Sequence, residues 1–183
     1  MYLEDSELLF QFKQPSSKEK ELAFTGIVKK YQEKLYWHIR RMVVDHDDVN
    51  DVLQNAFIKV WKGLVNFRED SQLYTWLYRI ATNECLTFLE QQKKRASVSL
   101  NDDENGLSNK VRADENFDAS KLEWKLQLAI QQLPERQRLV FNLRYFDEMP
   151  YEEMSRILET SEGALKASYH HAAKKIEDFL LNS

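Results

Sequence analysis

Apolar residues recur along this chain at steps of three and four, and the most regular pattern occupies residues 48–83. Its first half places Val49, Val52, Leu53, Ala56, Phe57, Val60, Trp61 and Leu64 on one face of an α-helix. Asp47 or Asp48 is expected as the N-cap, with acid in the first turn where the helix dipole favours it. Residues 66–71 are polar and turn-like, and a second stripe follows at Leu73, Trp76, Leu77, Ile80, Ala81 and Phe88. Each stripe needs a partner helix to cover it. Upstream, a short helix from Asp5 to Phe12 is expected, capped by Asp5 or Ser6 and ended by Pro15. Ser17 then starts a long pattern through Leu22, Ala23, Ile27, Tyr31, Leu35, Ile39, Met42 and Val43. Gly26 inside it costs about 1 kcal/mol relative to Ala.

The period is lost over residues 96–120, where apolar residues are few and Asn, Asp and Gly recur. This composition predicts a flexible acidic linker. Ser120 with Glu123 has the spacing of a capping box, opening a helix with Leu122, Leu126, Ala129, Ile130 and Leu133 as its stripe. Pro134 sits at the start of the next helix, where its missing N–H is harmless; that helix buries Val140, Leu143, Phe141 and Phe146. Two last helices are predicted over residues 151–158 and 162–180. Met154, Ile157 and Leu158 face inward on the first; Leu165, Tyr169, Ala172 and Ile176 do so on the second. The three residues between them, Glu159-Thr160-Ser161, match the length of a helix-turn-helix connection. The chain therefore reads as all-α: a lead-in over 1–21, a helical domain over 22–95, a linker over 96–120 and a second helical domain over 121–183.

Charge refines this picture. The net charge is −4, yet residues 22–95 hold 12 Lys and Arg against 9 Asp and Glu, while residues 96–120 hold 2 against 6. Neither domain is a strongly cationic grip, so weak intrinsic DNA binding is expected, since phosphate neutralisation supplies most non-specific affinity. The single cysteine, Cys85, excludes an intramolecular disulfide and a CxxC zinc site, and its place beside an apolar stripe predicts a packed thiol. No paired carboxylates in an apolar pocket, Gly-rich phosphate loop or His/Cys cluster is evident, so no catalytic, cofactor or metal site is expected. No run of about eighteen apolar residues exists and the acidic N-terminal segment is unlike a secretory signal, which together place the protein in the cytoplasm.

The stretch Asp51-Val52-Leu53-Gln54, with Phe57, Trp61, Phe67, Trp76-Leu77, Ile80-Ala81 and Asn83, resembles region 2 of bacterial sigma factors, in particular the extracytoplasmic-function group. LPERQRLVF through YEEMSRIL to SEGALKASYHHAAKKIEDFL is similar to region 4, the helix-turn-helix domain of the same family. The pattern departs from the family at Thr87, where Asp is usual, at Glu90, where Arg is usual, and at Glu159, where helix-turn-helix sequences usually have Gly. If Glu159 is left-handed, strain of order 1 kcal/mol is expected.

The resemblance implies a sigma factor that binds core RNA polymerase and directs promoter-specific initiation. Asp51, Gln54, Asn55 and Lys59 would dock on the polymerase clamp, where a carboxylate and amides suit an arginine-rich surface. Asn66, Phe67, Arg68, Thr75, Arg79 and Asn83 would receive a base flipped from the melting −10 element, aromatic stacking being worth about 1–3 kcal/mol per base. Trp76 lies on the apolar stripe and is assigned to the core. Ser161, Gly163, Lys166, Ala167, His170, His171 and Lys174 would face the −35 element from the recognition helix, with Arg156 on backbone. Partners implied are core polymerase, promoter DNA and an anti-sigma factor, and the linker would run near the RNA exit path. The residues alone also admit a self-sufficient helix-turn-helix dimer, or a helical adaptor that binds only proteins. Arg136, Arg138 and Arg144 read equally well as surface charges.

Overall fold

The computed structural model describes residues 3–43, 45–98 and 121–182. Among them are eight α-helices: α1 Asp5–Phe12, α2 Ser17–Met42, α3 His46–Leu64, α4 Leu73–Val98, α5 Lys121–Gln131, α6 Glu135–Tyr145, α7 Tyr151–Leu158 and α8 Glu162–Asn182. They fall into two compact units, residues 1–90 and 91–183. Helix α4 runs three residues into the segment read as linker. The rest of that segment, and the side chains of the Ser120–Glu123 capping box with Leu122, lie outside the described residues.

In the first unit α1 and α3 both pack on α2. Ser16 caps α2 by accepting from the Glu19 N–H at 3.4 Å. Neither Asp47 nor Asp48 caps α3; Asp45 does, accepting from Asp47 N–H at 3.0 Å, and the other two acids fill the first turn. The expected side-chain cap of α1 is also absent. Glu4 holds the N-cap position without a side-chain bond, and Ser6 is exposed. Asp5 is drawn away to α2, where its carboxylate accepts from the Tyr31 hydroxyl at 2.6 Å and from Lys30 Nζ at 2.8 Å. Burial, then the Asp5 carboxylate beside it, pushes the Tyr31 phenol well above its ordinary range.

Gly26 has a packing role. A Cβ there would lie 2.7 Å from Leu8 Cδ2, so the glycine is the notch that admits α1. Phe12 and Phe24 both meet Trp61 edge to face, at 5.3 and 5.0 Å between ring centroids, tying α1 and α2 to α3. Helix α4 joins through His38 of α2, whose Nε2 shares a 2.9 Å hydrogen bond with Thr82 Oγ1 while its ring lies 5.0 Å from that of Tyr78. His38, Tyr78 and Thr82 are all buried, and so is the Cys85 thiol.

In the second unit α5, α6 and α7 all pack on α8. Ala129, Ile130, Leu133, Phe141, Ala172 and Ile176 form its core. Val140 and Leu143 are buried as well, and Phe146 is half-buried. Arg138 corrects the surface reading. It is 7% exposed, and its guanidinium donates to the Gln131 side-chain carbonyl. Glu159 ends α7 in the left-handed conformation, φ 50° and ψ 41°. Replacing Glu159 with Gly should therefore stabilise this unit by about 0.5–1 kcal/mol, the relief of strain outweighing the added freedom of the unfolded chain. Urea denaturation of the full chain measures it, and a lower midpoint for the second unit would contradict it.

Candidate functional site

Three surfaces carry the residues singled out in the sequence. The first is the outer face of α3. Asp51, Asn55 and Lys59 are one and two helical turns apart, Gln54 lies beside them, and all four are exposed. Opposite them Val49, Val52, Ala56 and Val60 are buried, which fixes the rotation of the helix. Ile58, 45% exposed, adds an apolar contact point to this outer face. Lys59 also pairs with Glu84 of α4, a carboxylate that is itself mostly buried.

The second surface is the α3–α4 connection. Phe67 lies in the loop as read, but its ring is turned inward and is 8% exposed, which corrects the expectation of an open stacking platform. The cause is a tight turn at the end of α3. Asn66 and Phe67 donate their N–H groups to the carbonyls of Gly63 and Leu64, at 3.0 and 3.2 Å. The turn drops Phe67 onto Trp76, 4.9 Å between centroids. The Trp76 ring in turn closes on Gly63, where a Cβ would be 2.9 Å from its Cζ2. Thr75 is also buried, at 3% exposure, and its Oγ1 has no hydrogen-bond partner among the described residues. Asn66, Arg68, Arg79 and Asn83 remain exposed. Thr75, Arg79 and Asn83 follow one another at single turns of α4, so the row passes from core to surface. Across the loop, Glu69 has φ 62° and its carboxylate pairs with Lys13 at 2.5 Å. Thr87 directs its hydroxyl to the Asn83 carbonyl at 2.8 Å, so it is satisfied within its own helix.

The third surface is formed by α7 and the first half of α8. Ser161 stands just before α8, and its Oγ accepts from the Ala164 N–H at 3.3 Å, which is an N-cap. Ser161, Gly163, Lys166, Ala167, His170, His171 and Lys174 are all exposed, whereas Leu165, Ala172 and Ile176 are buried. Arg156, also exposed, pairs with Glu152 one turn earlier at 2.5 Å. Lys166 pairs with Glu162 at 3.5 Å and stands 5.5 Å from the centre of the Tyr151 ring. The rings of His170 and His171 are 6.0 Å apart, and no group of three or more His, Cys, Asp or Glu among the described residues is placed to hold a metal ion.

Sequence reasoning missed two features next to these surfaces. Arg144 is not an ordinary surface charge: it reaches from α6 to the Glu148 and Met149 carbonyls at 3.4 and 3.3 Å and lies 5.3 Å from the Tyr151 ring. Glu84 was missed because a lone acid on an amphipathic helix carries no signal of its partner. No helix among the described residues is long and apolar enough to cross a membrane.

Comparison with known proteins gives these surfaces a context. Residues 27–95 match the Sigma-70 region 2 family, and residues 123–176 match Sigma-70, region 4. The RNA polymerase sigma-H factor of Pseudomonas aeruginosa is 34% identical over 166 residues, 86% of each chain. The ECF RNA polymerase sigma-E factor of Escherichia coli K12 is 34% identical over 164 residues, 85% of each. Among solved structures, CnrH in complex with the cytosolic domain of CnrY matches at TM-score 0.70 and 20% identity, covering 98% of both chains. The sigma factor RpoE in complex with the anti-sigma factor NepR, from Bartonella quintana, matches at 0.66 and 20%, covering 86% of this chain and 96% of that one. At such identities these two likenesses are of fold.

Proposed function

The chain belongs to the sigma-70 family of RNA polymerase sigma factors, and we propose that its three surfaces divide the work of initiation between them. As a sigma factor it gives core RNA polymerase promoter specificity. Residues 22–95 act as the domain that docks on the polymerase clamp and opens the −10 element. Residues 121–183 act as the domain that reads the −35 element, and residues 96–120 join the two. The outer face of α3, with Asp51, Gln54, Asn55 and Lys59, takes the polymerase. Asn66, Arg68, Arg79 and Asn83 face the −10 strand. Phe67 and Thr75 lie beneath them, and they reach a flipped base only if the loop opens. Ser161, Gly163, Lys166, Ala167, His170, His171 and Lys174 face the −35 duplex, with Arg156 on phosphate. The protein works in the cytoplasm with no chemistry of its own, and an anti-sigma factor, the kind of partner seen with RpoE of Bartonella quintana, covers it when it is idle.

One observation carries this reading. Every residue assigned to the recognition helix is exposed on a capped helix of the second unit, whose Leu165, Ala172 and Ile176 are buried on the opposite side. The modest charge fits as well. Two weak DNA readers held on one polymerase gain from effective concentration what each lacks in affinity. The test is in vitro transcription with core polymerase and mapping of 5′ ends over genomic fragments. Discrete starts sharing −35 and −10 elements are expected, and silence at every promoter removes the reading.

The docking assignment makes its own prediction. Asp51→Lys should weaken polymerase binding roughly 10- to 100-fold, the worth of a charge-assisted hydrogen bond at about 1.5–3 kcal/mol. Circular dichroism should be unchanged, because Asp51 is exposed. Unaltered affinity in a binding titration against core polymerase would place the docking face elsewhere.

A further inference from the structure

The recognition helix carries an unusual arrangement at its start. Lys side chains on exposed helices sample many rotamers, and ordering one costs up to about 2 kcal/mol of entropy. Lys166 is instead met by two groups. Glu162 of the same helix lies 3.5 Å from its ammonium, and the Tyr151 ring of α7 lies 5.5 Å from it. An ammonium within about 6 Å of a ring centroid is attracted by the ring's quadrupole. Tyr151 is itself held. It is half-buried, it follows Pro150 as the first residue of α7, and the Arg144 guanidinium of α6 lies 5.3 Å from its ring. Arg144 also donates to the carbonyls of Glu148 and Met149, fixing the loop that delivers Tyr151. Side chains of three helices thus converge on the Tyr151 ring, and Lys166 among them sits in the first turns of the recognition helix, where side chains reach base edges.

We propose that Tyr151 is a positioning residue for −35 recognition: its ring pre-orders Lys166 toward the hydrogen-bond acceptors on a base edge of the −35 duplex. This rests on the assignment of α8 to the −35 element. Pre-ordering removes part of the entropy cost of binding, so it acts only through Lys166. It also directs the ammonium to one place in the groove, which sharpens discrimination between bases.

The test uses the full chain with core polymerase on a promoter whose −35 element has been mapped, and on a copy with that element scrambled. Tyr151→Leu should lower −35-dependent transcription about 3- to 10-fold, in line with a partly desolvated cation–ring contact. Tyr151→Phe, which keeps the ring, should retain it. On the Lys166→Ala background Tyr151→Leu should cause no further loss, and on the scrambled template neither change should matter. Thermal unfolding of each variant accompanies the assay, and a Tyr151→Leu protein that fails to fold leaves the Tyr151→Phe and Tyr151→His pair to decide. An equal loss with Tyr151→Leu on both the native and the Lys166→Ala backgrounds overturns the proposal, as does a loss with Tyr151→Phe as large as that with Tyr151→Leu. If Lys166→Ala itself leaves −35-dependent transcription unchanged, it is the assignment of this helix face that fails. If Lys166→Ala lowers transcription and Tyr151→Leu does not, the positioning role alone fails.

Discussion

Valine in place of Gly63 should destabilise the first unit by about 2 kcal/mol and shut down −10 opening while leaving the second unit folded. The Cβ alone would stand 2.9 and 3.2 Å from two ring carbons of Trp76, and valine adds two methyl groups in the same place. Movement of Trp76 away from the clash also disturbs the Phe67 ring, packed against it at 4.9 Å. Overpacking of this kind costs about 1–3 kcal/mol, and the better helix propensity of Val over Gly recovers only a few tenths. Gly63→Ala sets a gain of up to about 1 kcal/mol in propensity against a milder clash, so its effect should be small. Because Phe67 and its loop ride on Trp76, displacement of the indole also moves Asn66 and Arg68. Tryptophan fluorescence during urea unfolding reads the stability change, and permanganate reactivity of promoter thymines reads the opening. A Gly63→Val protein with an unchanged midpoint would show that Trp76 moves aside freely, and the packing argument would fail.

The second large effect is expected at Lys166→Glu. The side chain is exposed and lies one turn into α8, so the fold should not suffer. The reversal replaces an attraction for DNA by repulsion and sets two acids, Glu162 and the new one, a single turn apart. Loss of a base contact is worth about 1–3 kcal/mol, so −35-dependent transcription should fall roughly 10- to 100-fold. Polymerase binding, assigned above by proposal to α3, should be untouched. If the protein were an adaptor that never meets DNA, the same substitution would be silent in every DNA readout, so it separates the two readings directly.

Much of this could be read in the residues, for physical reasons that can be named. The stripes of α2, α3 and α4 are long and regular, and burying them leaves one helical solution; Val49, Val52, Ala56, Val60 and Leu64 are buried as the period demands, whereas Leu22 and Trp61, read into the same stripes, stay exposed at their edges. Burial of Cys85 and the left-handed turn at Glu159 were also legible, the first from its neighbours and the second from the Gly that helix-turn-helix sequences usually carry at that position. What escaped was set by contacts rather than period. Three acids cluster at the start of α3, and only backbone direction selects Asp45 as the cap. Phe67 follows the helix end, where periodicity stops, so nothing in the sequence said that the turn would fold its ring onto Trp76. Asp5 looked like a cap until Tyr31 and Lys30, more than twenty residues away, were seen to claim it. In the second unit Arg138 and Arg144 looked alike, and only tertiary packing separates the buried one from the one that ties the loop.

Gly163 lies in the first turn of α8, and a Cβ built on it would touch nothing within 4 Å. Natural drift or deliberate redesign could therefore install almost any side chain at that spot without disturbing the interior, and the helix would gain propensity in the bargain. If the proposed −35 face is the one that meets DNA, a protein with such an open slot there can acquire a different promoter vocabulary one substitution at a time, remaining folded at every step.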